Sequence, residues 1–378
     1  MSGFGVYVHV PFCARRCDYC DFATWTDRHH LMEAYAAACV TDLGRRSDTG
    51  AVRPATSVFF GGGTPSLLPA ELLLAVLDAI PRAAGAEVTV ECNPDTVTPE
   101  LVGAYRAGGV NRLSFGVQSM APHVLASLGR THDPAAVERA VAAARAAGFD
   151  NFNVDLIYGA AGETPADWEA TLGAALAFDP PHVSAYALTV EAGTPLARRI
   201  AASEMAAPDD DDQAAKYLAA DAALSAAGRP WYEISNWARP GRECRHNLLY
   251  WAQGEYLGIG CAAHGHTVAA DPADGRPAGR RWWNVRTPDR YIALIGQGAS
   301  AEAGHEILTG AEREDEATML ALRTRHGVPV TPAADALLAD GLATRQGSQV
   351  VLTPAGRLLG NEATTRLLGA ATPADAVP

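Results

Sequence analysis

Six short runs rich in Val, Ile, Phe and Tyr recur along the chain, at 5–11 (GVYVHVP), 57–63 (SVFFGGG), 87–93 (EVTVECN), 111–118 (NRLSFGVQ), 151–159 (NFNVDLIYG) and 182–190 (HVSAYALTV). Stretches of helical character lie between them, among them 31–44 and 134–148. Strands joined by helices at this spacing form parallel βαβ units. A closed barrel of this kind takes about eight units, and the sequence offers six. The pattern therefore predicts an α/β fold, an open and partial (β/α)6 barrel. In such a fold the functional loops follow the C-terminal ends of the strands.

Polar residues and glycines gather at those ends. Cys13, Cys17 and Cys20 follow the first run, and Gly61, Gly62, Gly63 and Thr64 close the second. Glu91, Asn93 and Asp95 end the third, Gln118 ends the fourth, and Asp155 lies near the end of the fifth. One rim of the barrel is expected to carry the chemistry.

The thiols are spaced C-x3-C-x2-C within FCARRCDYCDF (12–22). Three cysteines beside Arg15, Arg16 and Asp18 do not read as buried hydrophobes. A structural zinc site takes four protein ligands, commonly in two pairs, and the next cysteine, Cys39, falls inside a helical run. An iron–sulfur cubane takes one ligand at each of its irons. Three cysteines leave one iron open to a small molecule. The chain has 378 residues and 7 cysteines and begins without a basic, apolar leader. That predicts a cytoplasmic protein with reduced thiols. No apolar run approaches the roughly 20 residues that span a bilayer. A formal charge of −13 argues against a general nucleic-acid binder, which needs a basic face.

From about residue 200 the alternation stops. AASEMAAPDDDDQ (201–213) is acidic and loop-like, and 229–290, rich in Trp, Gly and Arg, reads as irregular. Residues 307–370 read as a separate small domain. It has helices at EDEATMLALRTRHG and TPAADALLADG, a hairpin turning at Gln346-Gly347, and a last helix at RLLGNEATTRLL. That order is winged-helix-like, and the lack of a basic excess counts against DNA. Four segments are expected: a barrel over 1–200, a barrel extension over 201–306, a helical, winged-helix-like domain over 307–370, and a disordered tail over 371–378.

The cysteine motif, placed after the first strand of a partial barrel, resembles that of the radical S-adenosylmethionine (SAM) superfamily. The resemblance implies a [4Fe–4S] cluster on Cys13, Cys17 and Cys20, with the amino and carboxylate groups of SAM on the remaining iron. It further implies backbone contacts to SAM at Gly62 and Gly63 beside Thr64, since glycine lets a backbone approach a ligand closely. Glu91 would meet the ribose, Arg130 and Asp155 would meet a charged group of the ligand, and Tyr19 would cover the adenine. The simpler alternatives are a flexible turn for the glycines and mutual pairing of Arg130 with Asp155.

Six further motifs, YVHVPFC (with Tyr7), GGGTPS, ECNPD, SFGVQS, LGRTH and NVDLIYG, narrow the resemblance to the coproporphyrinogen oxidase-like group over nearly the whole chain. That group contains oxygen-independent coproporphyrinogen III oxidases and haem chaperones of the HemW type. Phe22 stands where the oxidases have a fourth cysteine, only 12 residues precede Cys13, and HNLLYW (246–251) matches the H-N-x-x-Y-W motif of the chaperone type. These features imply haem as a further cofactor. His246 is then a candidate iron ligand, with His264 and His266 as rivals. Asn247, Tyr250 and Trp251 would lie against the macrocycle, and Arg239, Arg242 and Arg245 near its propionates. A polar loop capped by two core aromatics is the plainer alternative. Haem and haem-acceptor proteins are the implied partners, with peripheral contact to membrane-bound acceptors left open, as is the oligomeric state. The oxidase is the alternative function; in oxidases the residues matching Gln118, Arg130 and Asp155 help bind a second SAM, so their presence here implies either a retained ligand site or shared ancestry. One departure stands out, GAAGET (159–164), with Ala161 where the group commonly has proline.

Overall fold

The computed structural model describes residues 3–270 and 275–369 of the chain. The six runs form six strands: β1 (Phe4–Val10), β2 (Ala55–Gly62), β3 (Arg82–Cys92), β4 (Arg112–Gln118), β5 (Phe152–Tyr158) and β6 (His182–Ala187). They lie side by side in chain order, each parallel to the next. The helices Met32–Asp48, Ala70–Asp78, Pro99–Ala107, Pro134–Ala146 and Pro165–Ala177 connect them. Three of these helices open on the same local signal, at Thr98-Pro99, Asp133-Pro134 and Thr164-Pro165. In each, the Thr or Asp side chain accepts a hydrogen bond from a first-turn N–H and proline follows. Such a cap satisfies an orphan donor, worth about 1 kcal/mol, and proline forfeits no bond at that position.

Along a strand, successive side chains alternate between two faces. Val6, Val8, Val58, Phe60, Val90, Leu113, Phe115, Val154 and Leu156 join Leu73, Val102 and Val137 of the helices in one buried core. The intervening positions are largely polar: Ser57, Thr89, Glu91, Ser114, Asn153, Asp155, His182 and Ser184. The register pairs Glu91 with Ser114, Ser114 with Asn153, and Asn153 with His182. Several of these residues, with Tyr7 and Phe59, enclose a common interior space. The barrel is thus apolar toward its helices and polar within.

The sheet stays open and continues at both edges. Beyond β6 lie β8 (Asn236–Ala238) and β7 (Trp231–Glu233), antiparallel. Beyond β1 lies β9 (Glu255–Ile259), parallel, then β10 (His264–Ala270), β11 (Pro277–Asn284) and β12 (Glu302–Leu308), antiparallel. The whole is a 12-stranded sheet. The described residues of 229–290 are therefore largely ordered into strands and a helix, against the expectation from composition. β7 and β8 have 3 residues each, too few to show a period. In β11, Arg280, Arg281, Trp282 and Trp283 follow in succession. Trp282 packs over Gly265 of β10 so closely that a Cβ there would lie 2.2 Å from its ring.

The C-terminal segment has its own core of Leu322, Leu337, Val350, Leu352 and Leu367. The helix Gly310–Leu322 leads into a three-stranded sheet of β13 (Val328–Pro329), β14 (Ala343–Gln346) and β15 (Gln349–Leu352), with β15 in the centre. Its hairpin turns at Gly347-Ser348, one residue later than expected, because Gln346 still pairs with Gln349. Gly347 supplies the turn's positive φ of 63°. Arg357 ties this unit to the barrel through an ion pair of 2.8 Å with Asp221 and lies over the Trp231 ring. The tail expected over 371–378 lies outside the described residues. Among the described residues no helix is long and apolar enough to cross a membrane.

Candidate cofactor cavity

The loop after β1 is pinned at both ends. Cys13 N–H donates to the Trp25 carbonyl at 3.1 Å, and Trp25 N–H donates to the Pro11 carbonyl at 2.8 Å. Midway, Asp18 N–H donates to the Leu128 carbonyl at 3.2 Å, and the Asp18 carboxylate pairs with Arg199 at 3.0 Å. Arg16 closes the loop on the Cys20 carbonyl at 3.1 Å. So held, Cys13, Cys17 and Cys20 line one cavity of about 520 Å³, together with Tyr19, Gly62, Gly63, Thr64, Glu91, Gln118, Arg130 and Asp155. Phe22 lies at its edge, 56% exposed. Tyr7 is not part of this cavity: it lies within the barrel, with its hydroxyl 3.1 Å from His9 Nδ1.

The glycine turn after β2 forms the facing wall. A Cβ on Gly63 would sit 2.7 Å from the Phe12 carbonyl oxygen, 2.8 Å from that of Val10 and 3.1 Å from Cys13 Sγ. Only glycine allows this approach. Thr64 reaches Cys13 Sγ with its hydroxyl at 3.7 Å. Gln118 ends β4 with a φ of 65° at a register shift against β5. A bulge of that kind re-aims a side chain, here toward the cavity.

Charge inside the cavity is muted. Burial, reinforced by Asp155, lifts the Glu91 carboxyl to about 8, while the Gly62 N–H donates to it at 3.2 Å. Burial also raises the Cys13 thiol, against a hydrogen bond from Thr64, and raises Cys20 to about 11. A metal binding here must displace thiol protons. Arg130 and Asp155 take separate partners. Arg130 donates to the Gly116 carbonyl at 2.6 Å and lies 3.6 Å from Cys17 Sγ. Asp155 accepts from Ser114 at 2.8 Å and from Asn153 at 2.7 Å.

Among the described residues, no three His, Cys, Asp or Glu side chains are placed to share one metal ion. A cubane does not ask for that, since each thiolate meets its own iron. Three thiols spread round one short loop, facing a Cβ-free wall and a cavity larger than a cluster requires, fit a [4Fe–4S] cluster with a small organic ligand.

The HNLLYW residues lie at the opposite end of the barrel, in the helix Arg245–Trp251. His246 Nδ1 meets the Ser57 hydroxyl at 2.9 Å, and its Nε2 meets the Tyr250 hydroxyl at 2.8 Å. Ser57 precedes Gly62 by five positions on β2, about 16 Å at a strand's rise of about 3.3 Å per residue. The His246 ring is 1% exposed and stacks on Phe59. Burial lowers its pKa to about 3, so it is neutral with both nitrogens engaged. The imidazole expected to face iron is thus turned inward as a plug. Asn247 accepts from the Cys244 thiol at 3.4 Å. Tyr250 and Trp251 are half-buried and border a groove of about 300 Å³ with Tyr186, Ile234, Asn236 and Leu320. Of the rival ligands, His266 is buried against the Gly254 carbonyl and His264 is exposed beside Trp283. Arg239 pairs with Asp179, Arg242 pairs with Asp150, and Arg245 donates to the Gly85 carbonyl.

Arg112, Ser114, Asn153 and Ser184 were not singled out from sequence, yet they line the interior space next to this cavity. Their signal was present: polar residues alternate through the first part of each strand, Arg112 and Ser114 in β4, Asn153 and Asp155 in β5, His182 and Ser184 in β6.

An open βα barrel with three thiols after its first strand and a glycine wall after its second defines a radical SAM protein, and the sequence profile of the Radical SAM superfamily matches residues 7–175. The structure of coproporphyrinogen III oxidase (HemN) from Escherichia coli, described as a radical SAM enzyme, shares the fold. Its TM-score is 0.81 at 22% identity, over 97% of this chain and 90% of that one. Within the superfamily, the chain belongs to the HemW family. It is 43% identical to the heme chaperone HemW of Mycobacterium tuberculosis H37Rv over 97% of this chain and 95% of that protein. It is 33% identical to the heme chaperone HemW of Bacillus subtilis over 96% and 98%, respectively. It is also 35% identical to the bovine mitochondrial radical S-adenosyl methionine domain-containing protein 1, over 85% of this chain and 74% of that protein.

Proposed function

We propose that this protein is a cytoplasmic haem chaperone that carries a SAM-liganded [4Fe–4S] cluster, binds haem and passes it to haem proteins. One observation carries the reading: identity to proteins named heme chaperones extends over 97% of the chain, motif helix and C-terminal unit included. The cluster would sit on Cys13, Cys17 and Cys20. The Gly62-Gly63 backbone and Thr64 would border SAM, Glu91 would share hydrogen bonds with its ribose, and Gln118, Arg130 and Asp155 would meet its charged end. When bound, the cluster supplies one-electron chemistry at the rim. The protein's own part there is to exclude water, orient the ligand and keep the Glu91 proton in place.

For haem, the groove beside Trp251 is the favoured seat. Trp251 and Tyr250 offer flat faces, and Leu320 and Ile234 offer apolar walls. His246 then acts as a positioning residue that fixes the Tyr250 hydroxyl. The oxidase reading retains one observation, the polar set Gln118, Arg130 and Asp155 around the rim cavity. Haem titration followed by absorbance tests the chaperone reading. Trp251→Ala should weaken binding about tenfold, from lost stacking of about 0.5–1.5 kcal/mol plus lost area. Equal affinity in wild type and variant removes the groove as the haem seat.

A further inference from the structure

Beneath the rim cavity the barrel encloses a second chamber of about 190 Å³. It shares Glu91, Ser114, Asp155 and Tyr186 with the rim cavity, and Tyr186, Asn247 and Tyr250 with the groove at Trp251. Arg112, the first residue of β4, lines it. Arg112 is 1% exposed, and its Nε and Nη2 have no hydrogen-bond partner. A buried guanidinium with orphan N–H groups is costly unless an acceptor meets it. Burial works against its charge, but nearby groups, Cys244 and Glu87 foremost, outweigh that, so it stays a cation.

The neighbouring acids are committed elsewhere. Glu87 accepts from the Arg245 N–H at 2.8 Å. Asp155 is held by Ser114 and Asn153. Glu91 accepts from Gly62 and keeps its proton at neutral pH. Apart from Phe59, the other chamber walls carry polar groups: Asn153 donates to Ser114 at 2.8 Å and to Ser184 at 2.9 Å.

We propose that the Arg112 chamber binds one carboxylate group, brought either by a small free carboxylate or by the side arm of a larger ligand seated in an adjoining space. A planar guanidinium fork matches a carboxylate bidentately. The chamber is too small for a nucleoside or a macrocycle but admits a short acid chain. The side-arm source rests on the haem reading above, whereas the free-acid source does not.

The test uses calorimetry on the full chain with three probes: propionate, protoporphyrin IX, and the dimethyl ester of protoporphyrin IX. The variants are Arg112→Met, which removes the charge, and Ser184→Val, which keeps the arginine and narrows the chamber. Loss of the charged hydrogen bond sets the expected weakening in Arg112→Met at about tenfold or more, and the steric block in Ser184→Val should weaken binding by at least as much. Propionate binding that falls by that factor supports a free acid. Protoporphyrin IX binding that falls while ester binding does not supports a side arm. Should Arg112→Met fail to fold, Ser184→Val is read in the same way. Equal affinities across the three proteins, or no binding of either acid by wild type, overturn the site. A failure of the haem reading alone appears as absent porphyrin binding beside intact, Arg112-dependent propionate binding.

Discussion

His246 should make the protein acid-sensitive by a calculable amount. Its ring is buried and neutral, with a pKa near 3 against an ordinary 6.5. Below pH 6.5 the unfolded chain takes up a proton here that the folded chain refuses. The unfolded state then binds more protons, so stability falls as pH falls. Between pH 7 and pH 5 this one group accounts for a loss of about 2 kcal/mol, from about 1.4 kcal/mol per pH unit below the unfolded value. His246→Gln keeps a polar side chain but cannot titrate. Urea unfolding at pH 7 and pH 5, followed by tryptophan fluorescence, gives the comparison. His9 and His182 are also buried and held low, but they titrate in both proteins and cancel. The variant's loss between the two pH values should be smaller than wild type's by about 2 kcal/mol. Identical losses would refute the inward, doubly hydrogen-bonded placement and restore His246 as an accessible ligand.

Other outcomes follow from the rim. Cys17→Ala should lose the cluster on anaerobic reconstitution, whereas Cys39→Ala, whose thiol is 1% exposed in the core, should keep full iron. Equal iron content in the two variants counts against the cluster assignment. Gly63→Ala places a Cβ 2.7 Å from a backbone oxygen, an overpacking that costs about 1–3 kcal/mol; iron content should fall along with the melting temperature, and unchanged iron would contradict the tight wall. Glu91 is held near 8 against an ordinary 4.5. In that window the folded state keeps a proton the unfolded state releases, so stability should fall as pH rises through it. Glu91→Gln should flatten the fall, and an unaltered slope would show that Glu91 does not carry it.

Much of this architecture is legible in the sequence because β1 to β6 obey a simple period. Their valines and phenylalanines alternate with other residues, and three of the five connecting helices open on a capping Thr or Asp followed by proline. The rim is legible for the same reason, since it depends only on where strands end. What resisted reading depended on contacts made across the fold. Among the strands of 229–290, β7 and β8 have three residues each and β11 sets two arginines beside two tryptophans, and all of them extend an edge of the six-stranded sheet. The HNLLYW helix reads as a ligand platform, yet His246 is bonded to Ser57, 189 positions away, and no local pattern announces that pairing. Arg112 follows Asn111 in what looks like an ordinary strand start; only the convergence of β4, β5 and β6 shows that its guanidinium lacks a partner.

On the proposed function the protein binds haem and does not convert coproporphyrinogen. The most direct measurement uses one anaerobically reconstituted preparation, split in two. One half is titrated with haem. The other is incubated with coproporphyrinogen, SAM and a reductant, and its porphyrins are separated by chromatography. A haem chaperone should show saturable haem binding and no decarboxylated product. Product formation in a preparation that does not retain haem would contradict it and assign the chain to the oxidase reaction.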